Sequence, residues 1–382
     1  MTDVHGTTAP GFEGVADAFA ANFTEHAEPG ASFAAYRDGE LVVDLWGGVA
    51  DRDTGRPWTA DTLQLVFSGA KGPAAACFLL LAERGRIDLD APVARYWPEF
   101  AAAGKSAITV REVLSHQARL PGVAAAHTYA DWLDRPAMAA LLAAQAPADD
   151  PRAGFMYHAV TFGWLTGEIL ARVDGRGIGE FFAEEFAGPL GLDAWFGVPA
   201  EHHARVSRMV GAPGVLADVA ADEPDPLKVL TRNILTGSEG PGIWNDPAFR
   251  SAEQAAVGLH ATARALAGFY ACLARGGELD GVRVLEEQTI AEGRRVIRRG
   301  IEPMWNGPIV YGTGFELQNE SLRFGAPEDA YGHAGWGGSR HAAWPGPKVG
   351  YSYCTNEIRT AVPDRRPLDL LDALHKAVTS GA

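Results

Sequence analysis

The sequence predicts a mixed α/β fold of the α+β kind, in which a sheet domain is interrupted by a helical insertion. Short β-prone runs gather toward both ends of the chain, and apolar, helix-periodic stretches fill the middle. The early runs, residues 31–36 and 40–46, are joined by Asp38-Gly39, a dipeptide suited to a two-residue hairpin turn. The late runs are residues 310–317, 340–344 and 349–355, with Pro345-Gly346-Pro347 as the turn between the last two. This divides the chain into a discontinuous sheet domain, residues 1–88 and 255–382, and a mainly helical domain, residues 89–254.

Taken in order, residues 11–27 read as an opening amphipathic helix and residues 51–61 as a polar loop. Leu63-Gln64-Leu65-Val66-Phe67 is an apolar run leading into Ser68. Residues 69–84 read as a helix: Pro73 suits a first turn, residues 74–81 are apolar on every face, and Gly85 is a natural stop. Residues 88–145 read as mainly helical. Within them Thr109 is an N-cap with Glu112 at the third helical position, a capping box for a helix through Ser115. Residues 157–173 and 178–188 read as helices, and the acidic, Pro-rich residues 212–226 as a long surface loop. A helix over 261–275 stops at Gly276-Gly277, and residues 366–379 close the chain as a helix.

Composition narrows the function. At 382 residues with 47% apolar content, the chain can build one large domain or two modest ones. A net charge of −15 with scattered basic residues argues against nucleic acid and against an anionic membrane as partner. Cys77, Cys272 and Cys354 are far apart, so neither a disulfide framework nor a metal-like spacing is expected. Glu201-His202-His203 lacks a third placed ligand, and adjacent histidines point in different directions, so no metal site is expected. The first residues show no basic-then-apolar signal, and no apolar run nears membrane-spanning length. The expectation is a soluble, cytoplasmic protein with a small-molecule substrate; oligomeric state has no signature in the sequence.

The chemistry centres on Ser68-Gly69-Ala70-Lys71. A serine hydroxyl holds its proton too tightly to attack at neutral pH and needs a base beside it. Residues three apart share a helix face, so Lys71 can touch Ser68, and it can accept the proton if burial or a second cation lowers its pKa. Alone, the pattern also fits a serine N-cap followed by a solvated lysine. Tyr157, at a loop-to-helix junction in Gly154-Phe155-Met156-Tyr157-His158-Ala159, is a second candidate base, since nearby ammonium groups would favour a tyrosinate. It also fits an ordinary half-buried tyrosine. The small residues of Gly332-His333-Ala334-Gly335-Trp336-Gly337-Gly338-Ser339 would let backbone approach a ligand closely, as an oxyanion hole requires, with His333 and Trp336 flanking the approach; a flexible Gly-rich turn fits equally. No helix follows these glycines and no dinucleotide fingerprint is present.

The order of these features, an early Ser-x-x-Lys, a mid-chain tyrosine and a His-x-Gly before a late strand, resembles the serine β-lactamase and penicillin-binding protein superfamily. It is most similar to the class C β-lactamase-like esterases, the family VIII carboxylesterases. Further stretches carry the likeness: Leu65-Val66-Phe67-Ser68-Gly69-Ala70-Lys71-Gly72, Ile108-Thr109-Val110-Arg111-Glu112-Val113-Leu114-Ser115-His116, Tyr311-Gly312-Thr313-Gly314-Phe315 and His333-Ala334-Gly335. The resemblance implies an antiparallel sheet flanked by helices, an inserted all-helical domain, and an active site in the groove between them. It implies Ser68 as nucleophile and Lys71 with Tyr157 as shared base and acid. It also implies an oxyanion hole from the Ser68 N–H and a donor after the Gly-rich segment, for which Ser339 and Arg340 are the nearest guesses. His333, Gly335 and Trp336 would line the substrate site.

Departures from the family pattern bear on substrate. Ala159 stands where the lactamases carry the asparagine of Tyr-x-Asn, and His333-Ala334-Gly335 replaces Lys-Thr-Gly. Both changes remove groups that hold a lactam, and histidine is only partly charged at neutral pH. Arg119 stands where family members commonly have glycine. The expected activity is a serine carboxylesterase acting on short or small acyl esters through an acyl-enzyme on Ser68, with no metal or organic cofactor. The alternatives are a β-lactamase, a D-amino-acid amidase or peptidase, an acyltransferase, or a non-catalytic acyl-binding sensor on the same fold.

Overall fold

Asp38 and Gly39 both adopt positive φ, 51° and 92°, the geometry a tight hairpin turn demands. They join the strands Gly30–Arg37 and Glu40–Asp51. In the structure, a computed structural model that describes residues 3–211, 225–232, 243–359 and 363–380, this hairpin belongs to a ten-stranded sheet. From one edge the sheet runs Val4–Thr8, Glu40–Asp51, Gly30–Arg37, Val349–Thr355, Arg340–Trp344, Tyr331–Ala334, Glu316–Leu317, Gly307–Tyr311 and Arg298–Glu302, with the two-residue Arg56–Pro57 paired to Glu40–Asp51. Every pairing within it is antiparallel. The two ends of the chain meet where Gly30–Arg37 pairs with Val349–Thr355, with Ala31 opposite Thr355 and Arg37 opposite Val349. Among the described residues, no strand of this sheet comes from residues 58–297.

Strand alternation sends Phe33 and Ala35 to one face and Ala34 to the other. On the first face the helices Glu13–Glu25 and Arg365–Thr379 pack through Phe19, Leu370 and Leu374 against Phe33, Tyr351 and Trp344. On the second lies the helix Ala263–Ala274, packed on Gly30–Arg37 and Val349–Thr355. Beyond it is Lys71–Glu83, buried from Lys71 through Leu81. A helix apolar on all sides can only be an interior helix, and it ties the sheet side to the helical middle of the chain.

Several expected elements change form. Residues 88–145 are not long helices but short pieces, Val93–Arg95, Pro98–Gly104, Val110–Leu114, Tyr129–Leu133 and Arg135–Ala144. Pro92, Pro98 and Pro136 each stand at or next to the start of a piece, where the missing N–H costs least. The capping box of Thr109 and Glu112 forms as expected. Residues 178–188 split into Ile178–Phe182 and a π-turn, Ala183–Ala187. The expected strand 310–317 is two strands, broken where Thr313 N–H turns aside to Gly293 O (2.9 Å). The expected loop 212–226 lies outside the described residues as far as 224, and Pro226 opens a short helix, Pro226–Arg232.

The C-terminal helix is fastened by a buried charge cluster. Arg366 Nη1 lies 3.3 Å from both carboxylate oxygens of Glu28, and its Nη2 donates to Asp364 Oδ2 and to Gly337 O, both at 2.7 Å. Thr355 and Tyr353 hydroxyls also donate to Glu28. Burial pushes the Glu28 carboxyl above its ordinary pKa, and Arg366 pulls it back. Removing one partner of a buried pair strands the other charge, a loss of ~3–5 kcal/mol. Asp364 still faces Arg366, so Glu28→Ala should destabilise the fold by about 3 kcal/mol, the lower end of that range. Urea unfolding should show this as a lower midpoint at unchanged slope; a shift under about 1 kcal/mol would mean that solvent already screens the pair.

Candidate active site

The run Val66-Phe67 does not pass smoothly into a helix. Phe67 takes φ of +47° and begins a 3-10 turn, Phe67–Ala70, which hands over to Lys71–Glu83. Left-handed backbone costs a residue with a Cβ about 1–2 kcal/mol. Packing holds it there: the Phe67 ring is edge-on to Trp244 (5.2 Å) and to Trp336 (5.4 Å). The consequence is exposure at one point. From Thr62 to Leu81, Ser68 alone is not buried. Its N–H lies in the first turn, where amides have no intrahelical acceptor.

Lys71 is fully buried, and its Nζ touches three oxygens: Ser68 Oγ at 3.1 Å, Ala159 O at 2.9 Å and Ala256 O at 3.1 Å. Desolvation holds its pKa well below the ordinary lysine value, against a smaller opposing pull from Glu316. A neutral amine has two N–H bonds and one lone pair. Two carbonyls, which can only accept, take the two hydrogens. The lone pair then faces the Ser68 hydroxyl.

Tyr157 comes from the helical region, but not from a helix. The expected helix 157–173 starts at Thr161. Upstream, the amides are engaged elsewhere: Met156 N–H with His116 O (3.3 Å), Tyr157 N–H with Glu302 Oε1 (2.9 Å) and His158 N–H with His116 Nδ1 (3.1 Å). His158 is held as well, with Nδ1 on Met156 O (2.7 Å) and Leu120 N–H on Nε2 (3.0 Å). These bonds set the phenol so that the Lys71 amine lies 4.7 Å from its ring centre. Burial raises the Tyr157 pKa well above the ordinary value, and its hydrogen bond with Ser68 offsets this only in part. Burial therefore disfavours a tyrosinate, and the amine whose charge would favour one is itself driven toward neutrality.

The Gly-rich segment ends the strand Tyr331–Ala334 against the serine turn. A Cβ on Gly335 would lie 2.3 Å from Val66 O, so only glycine fits this approach. Gly335 N–H is spent on Ser339 O (3.0 Å), and Arg340 stands inside the sheet between Ala334 and Tyr353. Trp336 follows Gly335 and packs its ring on Phe67 and Trp244. His333 is buried, with Nδ1 donating to Ala334 O at 2.9 Å, which leaves Nε2 as an acceptor. Burial lowers its pKa to about 4, so it is uncharged at neutral pH rather than partly charged.

Some contributors were not foreseen. Glu302 holds the Tyr157 loop, and Phe67 and Trp244 wall the serine. Glu316, paired with Arg323 at 2.8 Å, lies beneath the site. A lone carboxylate in a strand, or an aromatic before a serine, carries no sequence signal of such a task. Arg119 is now explained. Its φ is +59°, the conformation glycine adopts freely, and its guanidinium repays the strain by donating to Ala148 O (2.9 and 2.6 Å) and Asp150 O (3.2 Å). All three cysteines are buried free thiols. Among the described residues no group of three or more His, Cys, Asp or Glu is arranged for a metal, and no helix is long and apolar enough to cross a membrane. His203 Nε2 instead bonds Val198 O at 3.0 Å.

Comparison with known proteins bears on this geometry. The Beta-lactamase family profile matches residues 15–374. Esterase/beta-lactamase LipL of Mycobacterium tuberculosis is 36% identical over 369 residues, which is 94% of this chain and 84% of the relative. The crystal structure of a family VIII carboxylesterase superposes with a TM-score of 0.90 at 38% identity, covering 98% of this chain and 100% of that one. A penicillin-binding protein homolog from Caulobacter crescentus superposes at 0.89 with 37% identity, over 98% and 100% of the two chains. A class C beta lactamase from Rhodobacter sphaeroides, at 19% identity and a TM-score of 0.64, shares the fold. With a family match over residues 15–374 and relatives of this identity across nearly its whole length, the chain belongs to the beta-lactamase family, as a serine hydrolase similar to the family VIII carboxylesterases.

Proposed function

We propose that this serine hydrolase is a carboxylesterase for small, uncharged acyl esters, working through an acyl-enzyme on Ser68. The observation that carries the reading is the Lys71 amine, whose two hydrogens are taken by Ala159 O and Ala256 O and whose lone pair is left for Ser68. Lys71 takes the Ser68 proton as Oγ bonds to the ester carbonyl carbon. Negative charge builds on the carbonyl oxygen, where the Ser68 N–H meets it. The second donor in this reading is Trp336 N–H rather than Ser339 or Arg340, because Gly335 N–H is already engaged and Trp336 is the next residue at the serine turn. The carbon–alkoxide bond then breaks. Tyr157, kept protonated by burial, gives its proton to the departing oxygen and regains one from Lys71. Water, deprotonated by the same pair, cleaves the acyl-enzyme and releases the acid. The site works in the groove where Ser68, Tyr157 and His333 converge from the interior helix, the helical region and the sheet.

Ester rather than lactam is supported by the groups around the nucleophile. A lactam carboxylate would meet the neutral acceptor His333 Nε2 instead of a cation, and Ala159 has no amide for a lactam side chain. Each missing charge-assisted hydrogen bond is worth roughly 1.5–3 kcal/mol. The kcat/KM for an aryl butyrate should therefore exceed that for benzylpenicillin by about a thousandfold or more. Comparable values on one preparation would make the chain a lactamase instead.

Ser68→Ala should remove both ester turnover and labelling by a fluorophosphonate, with circular dichroism unchanged; labelling that persists at another serine would sink the assignment. Tyr157→Phe should slow turnover by ~10²–10⁴. Lys71→Arg puts a permanent cation where the mechanism needs a lone pair. The wild-type kcat/KM should fall on the acid side as Lys71 gains a proton, while the arginine variant should stay inactive across the whole pH range. Recovery of that variant at high pH would remove Lys71 from the role of base.

A further inference from the structure

We infer that Trp305 is the platform for the leaving alcohol, so that this enzyme selects esters of apolar, ring-bearing alcohols. The inference rests on the reading of Tyr157 as proton donor to that alcohol. Trp305 sits in the turn between the edge strands Arg298–Glu302 and Gly307–Tyr311. Its indole is edge-on to the Tyr157 ring at 5.7 Å and 72°, and the residue is nevertheless 45% exposed. An open indole beside a catalytic phenol is an apolar surface presented to whatever sits at that hydroxyl.

The placement is built. The buried Glu302 carboxylate accepts Tyr157 N–H with Oε1 (2.9 Å), and Met304 N–H (2.5 Å) and Trp305 N–H (3.3 Å) with Oε2. One side chain thus fixes the tyrosine and the tryptophan together. Met304 packs on the cluster that contains Met156, the neighbour of Tyr157. Gly307 clears room for the indole: a Cβ there would lie 2.9 Å from Trp305 Cδ1. On the other flank of Ser68 stands a separate aromatic group, Phe67, Trp244 and Trp336. With the carbonyl carbon at Ser68 and the leaving oxygen at Tyr157, the alcohol lies toward Trp305 and the acyl chain toward Phe67 and Trp336.

The test separates the two halves of the ester. One series holds the acyl group as acetate and varies the alcohol through methyl, benzyl and 2-naphthyl. The other holds p-nitrophenol and varies the acyl group through acetate, butyrate and octanoate. Trp305→Ala should lower the kcat/KM preference for naphthyl over methyl acetate by about tenfold, as expected for loss of an aromatic contact and its buried area. It should leave the acyl-length preference in place, and Trp305→Phe should restore most of the alcohol preference. The loss should fall in acylation, because the acetyl-enzyme has already released its alcohol. A loss equal for methyl and naphthyl esters, or one that follows acyl length, overturns the platform while an acetyl group on Ser68, seen by mass spectrometry, still upholds the esterase reading. Absence of acetyl-Ser68 in a turning-over sample overturns both.

Discussion

The amino group of Lys71, held out of water between two carbonyls and one hydroxyl, is the constraint around which the rest of the molecule is arranged. An ammonium ion in that position would have to surrender its hydration for three neutral oxygens. Burial lowers the pKa of the group, which favours the uncharged amine. Every larger feature serves that seclusion. The helix bearing Lys71 is buried along nearly its whole length. Ala159 and Ala256 bring their carbonyls from segments far apart in sequence. The sheet end at Gly335 closes on Val66 from the remaining side.

The same burial acts in opposite senses on neighbouring groups. It lowers the pKa of a lysine and raises that of a tyrosine, because in each case the uncharged form is the one that tolerates low polarity. It also leaves His158 and His333 uncharged, each with a pKa near 4. Burial thus favours the uncharged form of each of these four side chains. The charge pair of Glu316 with Arg323 is near enough for Glu316 to act on the Lys71 amine and on His333.

What the sequence revealed follows from how local each cause is. The Asp38-Gly39 hairpin, the Thr109 capping box, the last two strands and the closing helix depend on residues a few positions apart, and they formed as read. The serine and lysine were legible for the same reason, being one turn apart. The helices of residues 88–145 were overread because prolines and distant contacts cut them into pieces. The start of the Tyr157 helix was misplaced because its amides answer to His116 and Glu302, 40 to 145 residues away. The rise in the pKa of that tyrosine was not legible either, since it depends on burial that no short window of sequence displays. Phe67 looked like the end of an apolar run, whereas its backbone is turned against its own preference by two tryptophans from elsewhere in the chain.

The grip on Lys71 is made of main-chain atoms, and this has a bearing on how such a site can diverge. A carbonyl is supplied by any amino acid, so the contact itself does not fix the identity of residues 159 and 256, although packing in the core constrains Ala256. The alanine at 159 is an instance: its side chain is a single methyl, yet its carbonyl holds the Lys71 amine. The hold on the amine and the lining around it are therefore written in separate alphabets here, one in backbone and one in side chains. A lineage can rewrite the second while inheriting the first intact.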